Sequence, residues 1–103
     1  MPYLLQVDFP FEGPFGEEMT KAFTDTAKSI NNEEGVIWKI WTEYEETKEA
    51  GGVYLFETEQ HAENYLAMHT KRLNGFGITD IQAKIFNVNE SLSRLNNGPI
   101  THK

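Results

Sequence analysis

Residues 36–44 read VIWKIWTEY, and they are followed by EETKEAGG at 45–52 and VYLF at 53–56. The first run is dense in β-branched and aromatic residues and long enough for one strand. Strand alternation puts Val36, Trp38, Ile40 and Tyr44 on one face and Ile37 and Trp41 on the other, with Lys39 and Glu43 on the parity of Trp41. The acidic stretch Glu45-Glu46-Thr47-Lys48-Glu49 and the pair Gly51-Gly52 read as a hairpin connection. Val53–Phe56 is then a short third strand. Both faces of this hairpin are apolar. A sheet built on it therefore needs cover on both sides.

Upstream, Leu5, Val7 and Phe9 alternate with Leu4, Gln6 and Asp8, so Tyr3–Phe9 reads as a strand. Gln6 and Asp8 on a strand that belongs in the middle of a sheet must be paired or line a cavity. Two prolines and two glycines in residues 10–16 break any ladder or helix. Glu17 and Glu18 suit a helix N-terminus. Met19, Phe23, Ala27 and Ile30 keep helical spacing until Asn31-Asn32 and Gly35 stop the helix. Downstream of the hairpin, Thr58 is placed to cap a second helix, with His61 where a capping box has an acid. That helix carries Ala62, Tyr65, Leu66, His69 and Leu73 on one stripe and ends at Asn74-Gly75-Phe76-Gly77. Thr79–Val88 reads as the fourth strand. Residues 90–103 are a polar tail, a short helical turn and then loose chain.

The order β-α-β-β-α-β is the ferredoxin-like arrangement, an α+β fold with a four-stranded antiparallel sheet and two helices on one face. Residues 1–103 make one such domain. Two helices cover only one sheet face, and the other carries tryptophan and isoleucine. That pattern predicts a homodimer packed sheet against sheet.

With 103 residues, 39% of them hydrophobic and 13% aromatic, the chain supports one modest core. A net charge of −7 argues against partners with a phosphate backbone and against an anionic membrane surface. No apolar run approaches the roughly 20 residues of a membrane span, and the N-terminus lacks a signal peptide's pattern. The absence of cysteine removes disulfides, thiolate metal sites and cysteine nucleophiles. A cytoplasmic protein is the expectation.

The chemistry-bearing residues are few. His69 lies on the apolar stripe of the second helix, where it is either a satisfied core histidine or a pocket acid, base or hydrogen-bond donor. His61 and His69 are eight residues apart, about 12 Å along a helix, and cannot share a metal ion. His102 lies in the tail. Trp38, Trp41 and Tyr54 form an aromatic group that serves either the core and interface or a flat-ligand pocket. Lys39 and Glu43 are either an ion pair or anchors for a polar ligand group. Gly51-Gly52 lacks the lysine and hydroxyl of a phosphate loop, and no serine or threonine sits in a nucleophile elbow.

LLQ at 4–6, GPFG at 13–16, WKIWTE at 38–43 and AGGVYLF at 50–56 carry a resemblance to a known family. HTKRL at 69–73 and Asn89-Glu90, followed by Leu92 and Ser93, extend it. The chain resembles the YdhR-like putative monooxygenase family, proteins of the dimeric ferredoxin-like α/β-barrel type. The resemblance implies a homodimer with facing sheets and a pocket in each subunit between sheet and helices. It implies that Trp38, Trp41, Glu43, Tyr54 and His69 border that pocket. The implied activity is oxidation of a small aromatic or quinol-like compound without a cofactor, with His69 as base or oxyanion donor. A non-catalytic dimer that binds or senses a small hydrophobic ligand is the alternative. A haem-binding relative with His69 as axial ligand is a third reading.

Overall fold

The computed structural model describes residues 2–100. His102 and the rest of residues 101–103 lie outside the described residues. The elements are β1 (Tyr3–Pro10), α1 (Gly16–Ile30), β2 (Val36–Tyr44), β3 (Glu49–Phe56), α2 (Glu59–Gly75), β4 (Gln82–Asn87) and α3 (Glu90–Leu95). The sheet order is β2-β3-β1-β4, and every neighbouring pair is antiparallel. β1 and β3 occupy the centre, as the ferredoxin-like order requires. Among the described residues no helix is long and apolar enough to cross a membrane.

Alternation decides which side is the core. Leu5, Val7 and Phe9 of β1 join Ala50, Tyr54 and Phe56 of β3 beneath the helices. Met19 and Ile30 from α1 and Ala62, Tyr65 and Leu73 from α2 close the layer. α2 begins with a side-chain cap. Thr58 Oγ1 accepts from the His61 backbone N–H at 3.1 Å, and its hydroxyl lies 2.8 Å from His61 Nδ1. The imidazole holds the capping hydroxyl in place, whereas a capping-box acid would reach the Thr58 backbone N–H. At the other end Ile78 N–H bonds to Leu73 C=O and Gly77 N–H to Asn74 C=O, both at 3.0 Å. Gly77 has φ of +85°, the left-handed residue of a Schellman motif.

Four departures from the sequence reading matter for the site. First, β3 is long. It runs from Glu49, the turn is Glu45–Lys48, and Gly51-Gly52 sit inside the strand. The glycines mark close approach. A Cβ on Gly51 would lie 1.9 Å from Val7 O, and one on Gly52 would lie 2.7 Å from Lys39 Cε. Second, β2 bulges. Val36 pairs with Phe56, but Trp38 pairs with Leu55, so Ile37 is the extra residue. Val36 therefore shares the core face with Lys39 and Trp41 and not with Trp38. Third, β4 begins only at Gln82, because Asp80 adopts φ of 57° and breaks the extended run. Fourth, residues 96–100 are not loose. After α3, capped by Asn89 at Leu92 N–H, the chain folds back onto the outer sheet face. There Trp38 Nε1 donates to Pro99 O at 2.7 Å, and Ile100 is buried. Three helices, not two, flank the sheet. The outer face is covered by its own tail only at the Leu4–Trp38–Leu55–Phe86 end.

Candidate functional site

The hollow between sheet and helices originates at Gly52. On the core face of the sheet, Trp41, Gly52 and Val7 stand in one row and Lys39, Tyr54 and Leu5 in the next. The missing side chain at 52 leaves a groove, and the Lys39 stem lies across it. The groove opens into a cleft of about 560 Å³, its open mouth included, and narrow inside. Val7 and Phe9 form its floor, Met19 and Phe23 its α1 wall, and His69 and Arg72 its α2 wall. The lining is apolar except for Thr26, Lys39 and a small polar cluster on the α2 side, the usual composition of a small-molecule site.

That cluster is a connected hydrogen-bond network. Tyr65, His69 and Arg72 follow the 4–3 spacing that puts them on one helix face. Arg72 Nη2 donates to His69 Nδ1 at 3.0 Å and to the Tyr65 hydroxyl at 3.3 Å. The Tyr65 hydroxyl donates to Tyr54 Oη at 3.2 Å, and His69 Nε2 lies 3.4 Å from the same oxygen. The tautomer follows from this geometry. Nδ1 faces a donor that cannot give up its proton, so it is the acceptor, and the ring proton is on Nε2. Nε2–H then donates to Tyr54 Oη. Tyr54 accepts twice, and its own O–H proton is left for the cleft. Ring contacts hold the cluster, with Tyr54 and Tyr65 centroids 4.9 Å apart and Tyr65 stacked on His69 at 5.1 Å.

Electrostatics reinforce this assignment. His69 is 7% exposed. Burial, followed by the nearby charges of Lys39 and Arg72, lowers its pKa from 6.5 to about 3. The ring is neutral near pH 7. Burial likewise raises the phenols of Tyr54 and Tyr65, so both remain protonated. Lys39 is the perturbed cation. Burial first, and Arg72 second, lower it from 10.5 to about 7. Its Nζ rests 3.4 Å from the Trp41 ring centroid and 4.6 Å from that of Tyr54. Near neutral pH both the ammonium and the free amine are within reach.

Of the five residues expected at the site, the structure brings together Trp41, Tyr54 and His69. Trp38 is on the opposite sheet face, because the bulge falls before it and the strand alternates regularly from Trp38 to Trp41. Glu43 shares the core face but lies beyond the cleft, where its Oε1 accepts from Gly16 N–H at 2.7 Å and caps α1. Lys39 does not pair with Glu43. Arg72 and Tyr65 complete the network. Spacing alone could have found them, since each continues the stripe of His69. Among the described residues no group of three His, Asp or Glu side chains gathers as a metal site. Both nitrogens of His69, the residue a haem iron would need, are already in hydrogen bonds.

Element order, sheet order and a helix-covered aromatic cleft define an α+β protein of ferredoxin-like type. The chain belongs to the family described as "Putative mono-oxygenase ydhR", whose match covers residues 4–99. A solved structure described as "Structural Genomics, protein YJCS" is similar in fold, with a TM-score of 0.61 at 20% identity over 85% of this chain and 98% of that one. No curated protein matches the chain.

Proposed function

We propose that the protein is a monooxygenase acting on a small aromatic or quinol-like compound, that the substrate itself supplies the electrons, and that the working unit is a homodimer joined through its outer sheet faces. The observation that carries this reading is the juxtaposition of the Lys39 amine, its pKa lowered by burial, with Trp41 and Tyr54 in one apolar cleft. The family's own description points to the same reaction class.

Triplet oxygen reacts slowly with closed-shell molecules, but an electron-rich carbanion or phenolate can reduce it. A methylene flanked by aryl rings illustrates the balance: CH2 plus O2 gives C=O plus H2O, four electrons coming from the carbon. A phenol going to a quinone balances in the same way. The protein's part is to hold the ring, take a proton and stabilise the anion in a dry site. Met19 and Phe23 offer an apolar wall for the ring, beside the Trp41 face that Lys39 covers. Lys39 as free amine takes the proton, since its pKa lies near the operating pH. The resulting ammonium and the spare O–H of Tyr54 face the developing negative charge. His69 acts through Tyr54 as a positioning residue. It is a poor base, with Nδ1 engaged by Arg72 and its pKa far below neutrality. The dimer reading rests on Ile40 at 54%, Tyr44 at 55% and Phe86 at 46% exposure on the outer face.

The test is oxygen uptake by metal-free protein with anthrones, naphthols and quinols. Uptake above the spontaneous rate, abolished in Lys39→Met and lowered in Tyr54→Phe, supports the oxygenase. Saturable binding without any uptake points instead to a non-catalytic binding or sensing dimer.

A further inference from the structure

The cleft contains two cations and no acid. Lys39 and Arg72 both line it, and its lining includes neither aspartate nor glutamate. Neither cation is ion-paired among the described residues; Lys39 contacts rings and Arg72 contacts His69 and Tyr65. The chain as a whole is acidic, at −7, so a cleft with only positive groups runs against its composition. Half-buried charges without an opposite charge beside them are costly, and a bound anion would offset that cost.

We propose that the ligand of this cleft is a planar aromatic compound bearing one anionic oxygen, a carboxylate or an ionised ring hydroxyl, with its ring against the Met19–Phe23 wall and its charge toward Lys39 and Arg72. This rests on reading the cleft as a small-aromatic site and adds the charge of what occupies it. Lys39, held over the Trp41 face, places a cation beside the apolar wall of Met19 and Phe23. Arg72 is a second donor that cannot lose its charge. The spare Tyr54 proton is a third donor for the same oxygen. A neutral phenol reaches the same ion pair by passing its proton to the Lys39 amine.

A proton linkage follows. Lys39 lies against Trp41 from its own strand and Tyr54 and Gly52 from β3, interacts electrostatically with His69 and Arg72 from α2, and shares the cleft with Met19, Phe23 and Thr26 from α1. Only Lys39 among them titrates near neutrality. Above pH 7 an anion must therefore recruit a proton to Lys39, whereas below pH 6 the ammonium is already present.

Titration calorimetry with 2-naphthoate, 2-naphthamide and 2,4-dinitro-1-naphtholate tests this on the intact protein. At pH 6 naphthoate is expected to bind at least about 30-fold more tightly than its neutral amide, a preference that falls about tenfold or more in Lys39→Met. At pH 8, buffers of different ionisation enthalpy are expected to report uptake approaching about one proton per anion bound. Lys39→Arg keeps the preference and loses the uptake, which separates charge from mere folding. Binding of the naphtholate but not the carboxylate assigns the anion to an ionised hydroxyl, and the reverse assigns it to a carboxylate. Equal binding of amide and naphthoate with no naphtholate bound, or no binding of either anion at about 1 mM, overturns the proposal. Oxygen plays no part in the assay. A protein that binds these anions and consumes no oxygen keeps this inference and loses the oxygenase.

Discussion

Lys39→Met is expected to make the protein more stable at neutral pH and to flatten the dependence of its stability on pH. Lys39 is depressed from 10.5 to about 7, chiefly by burial. In the unfolded chain it holds its proton up to its ordinary pKa, while in the folded chain it begins to release the proton near 7. The unfolded state therefore binds more protons across the window between the two values, and stability rises with pH there. The full penalty of the shift is about 5 kcal/mol, at 1.36 kcal/mol per unit, and it applies below pH 7. Between pH 7 and pH 9.5 the group contributes a rise of about 3 kcal/mol. Methionine fills much of the same groove over Gly52 and carries no charge. The variant should gain up to about 4 kcal/mol at pH 7 and lose that advantage progressively toward pH 10. The gain is reduced by the lost contact with Trp41, worth about 1 kcal/mol. Urea denaturation at fixed protein concentration, repeated at half-unit steps from pH 6 to 9.5, measures both curves. Parallel curves for wild type and variant would refute the reasoning, because they would mean that the Lys39 ammonium is hydrated in the folded state.

Tyr54→Phe removes the acceptor shared by Tyr65 and His69, and stranding those donors should destabilise the fold by about 1–3 kcal/mol, readable as a lower urea midpoint. Glu43→Ala withdraws the carboxylate that caps α1 at Gly16 and should lower stability by about 1 kcal/mol, with faster amide exchange confined to the first turn of α1. Gly51→Ala puts a methyl against the Val7 carbonyl and is expected to abolish soluble folded protein, whereas Ala50→Gly, one residue away, should still fold. Sedimentation at micromolar concentration should give twice the monomer mass, reduced to one in Ile40→Asp; a wild-type monomer would remove the sheet-to-sheet pairing.

The helices and central strands were legible because their patterns are strong. Leu5, Val7 and Phe9 alternate cleanly, and Thr58, Tyr65, His69, Leu73 and Gly77 mark a helix from cap to stop. The glycine pair misled because glycine signals two opposite things, a turn or a crowded strand. Only the approach of Val7 and Lys39 from neighbouring strands, far away in sequence, tells them apart. The bulge at Ile37 left no trace, since a β-branched residue suits both a regular and a bulged strand, and it reassigned Val36 to the other set. His69 was found by its stripe, but its hydrogen-bonding state depends on Arg72, whose long side chain can point to solvent or inward. Lys39 was read as one half of an ion pair with Glu43 or as an anchor for a polar ligand group; its place against Trp41 and Tyr54 is a property of the Gly52 groove. The tail was read as loose for want of apolar residues, yet one indole bond to Pro99 and the side chain of Ile100 suffice to seat it.

The unbroken alternation from Trp38 to Trp41 has an optical consequence. It leaves the only two indoles in the chain on opposite sides of one strand, in unrelated surroundings. Trp41 has a titrating amine against its ring, so its emission should change in step with the protonation of Lys39. Trp38 lies under residues 99–100, with its N–H bonded to a carbonyl, and should respond to lifting of the C-terminal segment and to contact with a second copy. Trp38→Phe and Trp41→Phe would thus convert one protein into two single-colour reporters, one for events in the cleft and one for events on the sheet's far side.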